Sequence, residues 1–393
     1  MIDVKPNLLL TTAASALFCF AQMMAAQTPS TPAAPPPTPA PAPAAPTWSV
    51  GGVDFSGYLD GYYGYNYNRP SNAANGQVND LYNFNDKTDQ FNLAGAVLTL
   101  NHNPDPIGVH ADLIFGRAND LIHSSTEKDT ANYIEQAYVS YTPAKTHGSE
   151  FDFGQFVTSA GAEVIPTMSD WNYSRSILFA WAIPYYHFGL RTSTPFTKTW
   201  SAGLQVVNGW NNDVANNGGV TIGLTSALTK PKYAWALNYY VGPSNFDTQN
   251  GYRNLIDTTL TLTPNAKFNA YINYDYGQNR TDASAKGGVT TPEASDHWSG
   301  IAFDTHEQMN SRNALSVRYE YFNDNAGYST GTAQDLQEVT GTYEYKWAEG
   351  LLARLEYRHD WSNVAFFHKG DTGMVEAQST LTLGFIAFFG PKR

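Results

Sequence analysis

From Trp48 onward apolar and polar residues alternate one by one. Val53, Phe55, Gly57, Leu59, Gly61 and Tyr63 are interleaved with Asp54, Ser56, Tyr58, Asp60 and Tyr62. The same period returns in Val109-Ala111-Leu113-Phe115, Trp200-Ala202-Leu204-Val206, Tyr233-Trp235-Leu237-Tyr239 and Phe268-Ala270-Ile272-Tyr274. It returns again in Leu315-Val317-Tyr319-Tyr321, Leu351-Ala353-Leu355-Tyr357 and Leu381-Leu383-Phe385. A period of two predicts strands with one face in an apolar medium. Many runs approach about ten residues, long for a soluble sandwich but suited to a tilted strand crossing a bilayer.

The links between these runs alternate in length. Short ones, marked by Pro or Lys, fall near 104–106, 143–148, 195–198, 230–231, 264–265, 308–312 and 347–350. Longer polar ones fall near 68–88, 118–131, 158–177, 210–218, 243–252, 278–295, 324–335 and 362–374. A soluble sandwich has no reason to keep that order, whereas an outer-membrane barrel has short turns on one side and long loops on the other. The expected fold is therefore all-β, a transmembrane antiparallel up-and-down β-barrel of about sixteen strands; a slip of one hairpin would give fourteen or eighteen. Closure would pair the first strand, from near Val53, with the last, Thr380–Phe389, because a free edge cannot be satisfied in lipid.

The first residues are of another kind. Residues 1–26 read as a secretory signal, with Lys5, an apolar run from Leu8 to Ala21, and the small pair Ala25-Ala26. Residues 27–47 are a Pro/Ala-rich spacer that cannot build a core and is expected to be disordered. The barrel domain would then be residues 48–393.

Composition narrows the class further. Of the 393 residues only 15% are charged, while 25 are Tyr, 21 Phe and 9 Trp. Soluble domains carry roughly a quarter charged residues. Past the N-terminus no run of about 18 apolar residues occurs, which argues against membrane-spanning helices. The net charge of -12 excludes a basic nucleic-acid footprint. Cys19, the only cysteine, lies in the signal, so the mature chain would hold neither a disulfide nor a cysteine metal site. The nine histidines lack metal-ligand spacing: His306-Glu307 is followed by Gln308-Met309-Asn310, not by a second His. Tyr58, Tyr63, Trp200, Trp235, Trp298, Tyr321 and Trp347 are candidates for aromatic belts at the membrane interfaces; packing in a sandwich core is the other reading.

If the apolar parity faces lipid, the opposite parity faces the lumen. That places Asp60, Asp112, Asp257, Asp275, Glu320 and Glu356 inward, along with His110, Gln136, Asn273, Asp304, Glu344, Lys346, His187, Arg191, Arg318, Arg354 and Arg358. Arg or Lys on the lipid face near mid-bilayer would cost about 2–4 kcal/mol. Opposed acidic and basic walls would set a transverse field across a pore. Arg318–Glu320 and Arg354–Glu356 could instead pair locally to satisfy a polar interior.

The third long link is the most unusual. It carries Glu163, Asp170, Trp171, Asn172, Tyr173 and Arg175, and an alternating strand from Ile183 to Arg191 follows it. Connections of this length in compact folds are usually functional. Loop 158–177 is expected to fold into the lumen, burying Val164, Ile165, Trp171 and Tyr173. Its charges, Glu163, Asp170 and Arg175, would face His187, Arg191, Arg318, Arg354 and Arg358 and form the pore constriction. A loop packed on the outer rim is the alternative.

The order Gly161-Ala162-Glu163-Val164-Ile165, Trp171-Asn172-Tyr173-Ser174-Arg175-Ser176, Ala182-Ile183-Pro184 and His187-Phe188-Gly189-Leu190-Arg191 resembles the outer-membrane β-barrel porins called OmpL-like. Ser56-Gly57-Tyr58 to Tyr67-Asn68-Arg69-Pro70 resembles their first strand. Pro104-Asp105-Pro106-Ile107-Gly108, Gly116-Arg117 with Asp120-Leu121-Ile122-His123, and Val207-Asn208-Gly209-Trp210-Asn211-Asn212 are similar to further shared pieces. The resemblance covers most of 55–390 and implies a pore in the outer membrane of a Gram-negative-type cell. The strand Thr380–Phe389 also resembles the aromatic C-terminal signal read by the barrel-assembly machinery, although Gly390-Pro391-Lys392-Arg393 follow it.

Together these features point to a porin, not an enzyme, that lets small hydrophilic solutes or ions diffuse passively. It would use no cofactor. Its partners would be outer-membrane lipid, the solutes and the assembly machinery, and it would be a monomer or a homotrimer. Two alternatives stand beside it: a non-conducting structural or adhesive barrel, and an outer-membrane hydrolase. The hydrolase has Ser174, Ser176 and His187 available but no nucleophile motif around them.

Overall fold

The computed structural model describes residues 48–123, 130–243, 249–282, 284–286, 289–291 and 293–391. The expected signal, 1–26, and spacer, 27–47, lie outside the described residues. Sixteen antiparallel strands close into one barrel. They are β1 (Val53–Asn66), β2 (Gln90–His102), β3 (Ile107–Phe115), β4 (Ile134–Tyr141), β5 (Glu150–Val157), β6 (Tyr186–Pro195), β7 (Trp200–Val207) and β8 (Thr221–Lys230). The second half holds β9 (Tyr233–Gly242), β10 (Tyr252–Leu262), β11 (Phe268–Thr281), β12 (Ala294–Gln308), β13 (Asn313–Asp324), β14 (Gln334–Ala348), β15 (Leu351–Ser362) and β16 (Ala377–Phe389). Among the described residues three short α-helices lie in the connections: α1 (Asn72–Asn75), α2 (Arg117–Ile122) and α3 (Ile177–Trp181).

Each strand pairs with its sequence neighbours, and β1 pairs with β16 from Gly57↔Phe389 to Asn66↔Thr380. This closure leaves the barrel without a free strand edge, as a sheet placed in lipid would require. Short connections of two to eight residues gather at one end and the longer ones, such as 67–89 and 158–185, at the other.

The alternation read from the sequence sets the faces. On β13, Leu315, Val317 and Tyr319 are 38–47% exposed, while Ser316, Arg318 and Glu320 are at most 2% exposed. Leu351, Leu355 and Tyr357 on β15 point outward in the same way, with Arg354, Glu356 and Arg358 inward. Two of the expected belt residues depart from this. Tyr58 and Trp298 are 7% and 1% exposed, because their parity is that of Asp60 and of the lumen. Trp200, Tyr321 and Trp347 are exposed on the outside.

The apolar core is not in the wall but inside the barrel, toward the long-loop end. Leu81, Phe84, Ile165, Ile177, Leu178 and Phe179 from the connections pack there against Tyr58, Trp298, Phe322 and Leu336 of the strands. The alternating strand expected from Ile183 starts only at Tyr186. Residues 177–181 have coiled into α3, whose N-cap Ser176 takes the Phe179 N–H at 2.9 Å.

Candidate functional site

The third long connection, L3 (158–185), leaves β5 and folds into the barrel. Its chain direction is set locally. A 3-10 turn at Thr167–Ser169 follows Pro166, and the Ser176 cap starts α3. Arg175 ties the intervening coil to itself. Its guanidinium donates to the carbonyls of Val164 (2.8 Å), Ile165 (2.6 Å) and Tyr173 (2.9 Å). Arg175 Nε also stands 3.0 Å from Asp170 Oδ2. Phe84 covers the guanidinium from above at 5.3 Å.

An irregular backbone so deeply buried must have its N–H and C=O groups satisfied by protein. The inward charges of the wall do this. Arg354 donates from Nη1 to the Thr167 and Asn172 carbonyls (2.7 and 2.9 Å) and from Nη2 to that of Asp170 (2.5 Å). Glu356 accepts the N–H groups of Tyr173 (2.6 Å) and Ser174 (3.0 Å). Glu320 accepts those of Ile177 (2.6 Å) and Leu178 (3.3 Å) at the start of α3. Arg318 donates to Glu163 Oε1 (2.7 Å) and to the Ser174 carbonyl (2.9 Å), and Arg358 to the Arg175 carbonyl (2.7 Å). Two strands along the same wall, Asp60 accepts from the hydroxyls of Thr167 and Tyr173. The Tyr173 ring lies directly over Gly384 of β16, where a Cβ would stand 2.1 Å from a ring carbon. Only glycine admits that approach.

The three arginines are compensated within the wall as well. Arg318 Nε meets Glu338 at 2.8 Å, Arg354 meets Glu344 at 2.8 Å, and Arg358 meets Asp360 at 2.7 Å. Basic and acidic groups thus alternate on one face of β13–β15. All of Arg318, Glu320, Glu338, Arg358 and Asp360 have no measurable exposure. Burial pushes the Asp170 carboxyl up to about 7, the nearby Arg175 charge opposing that rise.

The structure therefore brings together Glu163, Asp170, Arg175, Arg318, Arg354 and Arg358 with Asp60, Glu320 and Glu356. His187 and Arg191 lie elsewhere. His187 stacks on Tyr240 with ring centroids 5.0 Å apart, its Nδ1 2.8 Å from the Gly209 carbonyl. Arg191 pairs with Asp152 at 2.7 Å and lies over Tyr138 and Phe156. Asp257 and Asp275 face each other across β10 and β11, and Asp257 accepts from Asn238 and Asn273 (2.7 and 2.9 Å). Asp112 lies on β3, held by His110 and Gln136 at 2.9 and 2.7 Å.

Ser174 and Ser176 are engaged in the clasp and the helix cap, and His187 hydrogen-bonds to Gly209 and Thr158. No serine–histidine contact of the kind a hydrolase needs is formed among these three. Among the described residues no group of three or more His, Cys, Asp or Glu converges as a metal site.

The sequence reading missed the role of the first long connection, L1 (67–89). Leu81, Tyr82 and Phe84 turn inward and are at most 5% exposed. Trp181 of α3 donates from Nε1 to the Leu81 carbonyl at 3.0 Å, and Tyr82 covers the Arg358 guanidinium at 4.4 Å. The signal was present: Leu81-Tyr82-Asn83-Phe84 is an apolar cluster inside an otherwise polar link. Glu338 and Asp360 were also passed over, although their parity is that of the lumen. On the other side of L3, a cavity of about 970 Å3 opens toward the short-turn end, between β1–β4 and the Pro166–Ser169 segment.

A closed antiparallel barrel with an apolar outer face, a charged interior and a third loop drawn into its lumen is the architecture of an outer-membrane porin. The sequence model of the family described as "Putative beta-barrel porin-2, OmpL-like" matches residues 52–389. The chain belongs to that family. Among curated protein sequences none matches. Solved structures share the fold at low identity. OmpT of Vibrio cholerae in its trimer form is 15% identical with a TM-score of 0.54, covering 86% of this chain and 99% of its own. An anion-selective porin from Comamonas acidovorans is 11% identical with a TM-score of 0.55, covering 86% and 99%. Salmonella typhi OmpF in complex with daunomycin is 12% identical with a TM-score of 0.56, covering 86% and 97%.

Proposed function

We propose that this protein is an outer-membrane channel for the passive diffusion of small hydrophilic solutes and ions, narrowed by L3. The observation that carries this reading is the clasp. Arg318, Glu320, Arg354, Glu356 and Arg358 bind the backbone of L3 from the wall and hold it inside the lumen. A loop so held is a fixed constriction and not a mobile lid. Its residues Glu163, Asp170 and Arg175 shape the passage by ordering the loop. The short turns face the periplasm, residues 1–26 direct export, 27–47 act as a spacer, and the barrel-assembly machinery inserts residues 48–393. Because OmpT of Vibrio cholerae, which shares the fold, is described in a trimer form, a homotrimer is weighed beside the monomer.

One observation favours a second reading, a barrel sealed by its loops. The clasp residues are so completely covered that L1 and L3 together fill much of the lumen beside them. Purified protein in planar bilayers decides between the two. Stable single-channel steps at moderate potentials support the channel. Folded, inserted barrels that pass no current support the sealed structure.

A further inference from the structure

The cavity on the short-turn side of L3 has a chemistry distinct from that of the clasp. Its lining includes the carboxyl groups of Asp112, Glu135 and Glu349 but, among the described lining residues, no Lys or Arg. The rest of the lining mixes polar, aromatic and aliphatic residues, among them Tyr58, Gln136, Val97, Met168 of L3, Trp48 and Phe388. The three carboxyls are not equivalent. Glu349 is exposed and paired with Lys346 at 2.8 Å. Asp112 is surrounded by donors from His110, Gln136 and the Thr99 hydroxyl. Glu135 differs from both. It is 2% exposed, and its Oε2 has no hydrogen-bond partner. A buried carboxyl oxygen without a donor is costly and demands explanation.

We infer that the missing partner is a ligand, and that this cavity is a binding site for small organic cations carrying an ammonium group on an apolar body. The ammonium would donate to Glu135, with Asp112 adding negative potential beside it. The aromatic and thioether surfaces of Tyr58, Met168 and Phe388 would take the apolar part, and aromatic faces also attract cations. The volume of about 970 Å3 lies at the upper end of the roughly 300–1,000 Å3 typical of small-molecule sites. Such a site deepens the channel reading and rests on it: it would hold cationic solutes on the short-turn side of L3.

The test uses butylammonium as the cation and butyrate as its anionic counterpart. In planar bilayers holding the full barrel, butylammonium reduces the potassium current in a dose-dependent way and butyrate does not. Glu135→Gln raises the half-blocking concentration about tenfold, the size expected for losing one charge-assisted hydrogen bond. Ser169→Lys, which puts a fixed ammonium at the cavity wall, abolishes the block. Both variants are first checked for folding by heat-modifiable electrophoretic mobility, so that a misfolded one is set aside in favour of the other. Calorimetric titration of the detergent-solubilised barrel with butylammonium separates the two claims. Binding that is lost in the variants without any conductance sinks the channel and keeps the site. Conductance with no butylammonium binding, or with block unchanged in both variants, sinks the site and keeps the channel.

Discussion

Arg354 shows what the buried charges do. It holds three carbonyls of L3 and one carboxylate of the wall at once. Replacing it by Met leaves those carbonyls and Glu344 without their donor, a loss of about 3–5 kcal/mol if the pocket stays dry. Arg354→Met should therefore lower the unfolding temperature in detergent and raise conductance or current noise, as L3 loosens. Glu163 and Asp170 should separate in the same assay. Glu163 meets Arg318 at 2.7 Å and the Ser176 N–H at 2.6 Å, so an amide there turns a donor toward a donor. Glu163→Gln is expected to destabilise strongly, whereas Asp170→Asn is expected to be close to neutral. The reason lies in the protonation of Asp170. Its carboxyl is raised from 3.8 to about 7, so the fold favours the protonated form. That contribution is complete below about pH 4 and is lost as pH rises through 7. Melting curves at pH 6 and pH 8 should show the wild type less stable at pH 8, with the difference diminished in Asp170→Asn. Equal pH dependence in both proteins would contradict this account.

At the scale of elements, L3 is irregular in backbone yet ordered by contact. Its order comes from outside: from β13–β15 through charge, from β16 through the space left at Gly384, and from L1 through the Leu81 carbonyl and Phe84. Gly384→Val would push its side chain into the Tyr173 ring while leaving the outer face of β16 unchanged. The expected outcome is a barrel that still assembles, seen by heat-modifiable mobility, but whose conductance is altered because Tyr173 and its neighbours must move. Unchanged conductance in a folded Gly384→Val barrel would place the narrowest point away from this part of L3.

For the whole molecule, closure is made by β1 and β16, from Gly57↔Phe389 to Asn66↔Thr380, so the barrel is expected not to depend on what precedes Trp48 in sequence. Deleting residues 27–47 while keeping residues 1–26 should leave the yield of folded barrel and its conductance intact. Loss of folded barrel with export preserved would assign the segment a part in assembly. The apolar outer face is continuous with the exposed Leu, Val, Phe and Tyr of alternate strand positions, and it needs no further protein to cover it in a membrane.

The sequence by itself determined the wall. Strand faces follow from a period of two, because neighbouring side chains must point to opposite sides, and the long and short links fixed the order of hairpins. Inward placement of Arg318, Glu320, Arg354, Glu356 and Arg358 followed from the same parity. What parity cannot supply is distance across the lumen. Whether Arg354 would meet a solute, a neighbouring Glu or a loop carbonyl depended on where L3 and L1 came to rest. That was decided by burying Leu81, Phe84, Ile165 and Leu178 together, contacts between residues far apart in sequence. His187 and Arg191 show the limit most plainly. Their parity and proximity to L3 placed them beside its charges, but the fold turned them toward Gly209 and Asp152. Local alternation specifies which side of a sheet a residue occupies; only the tertiary packing of loops inside the barrel selects its partner.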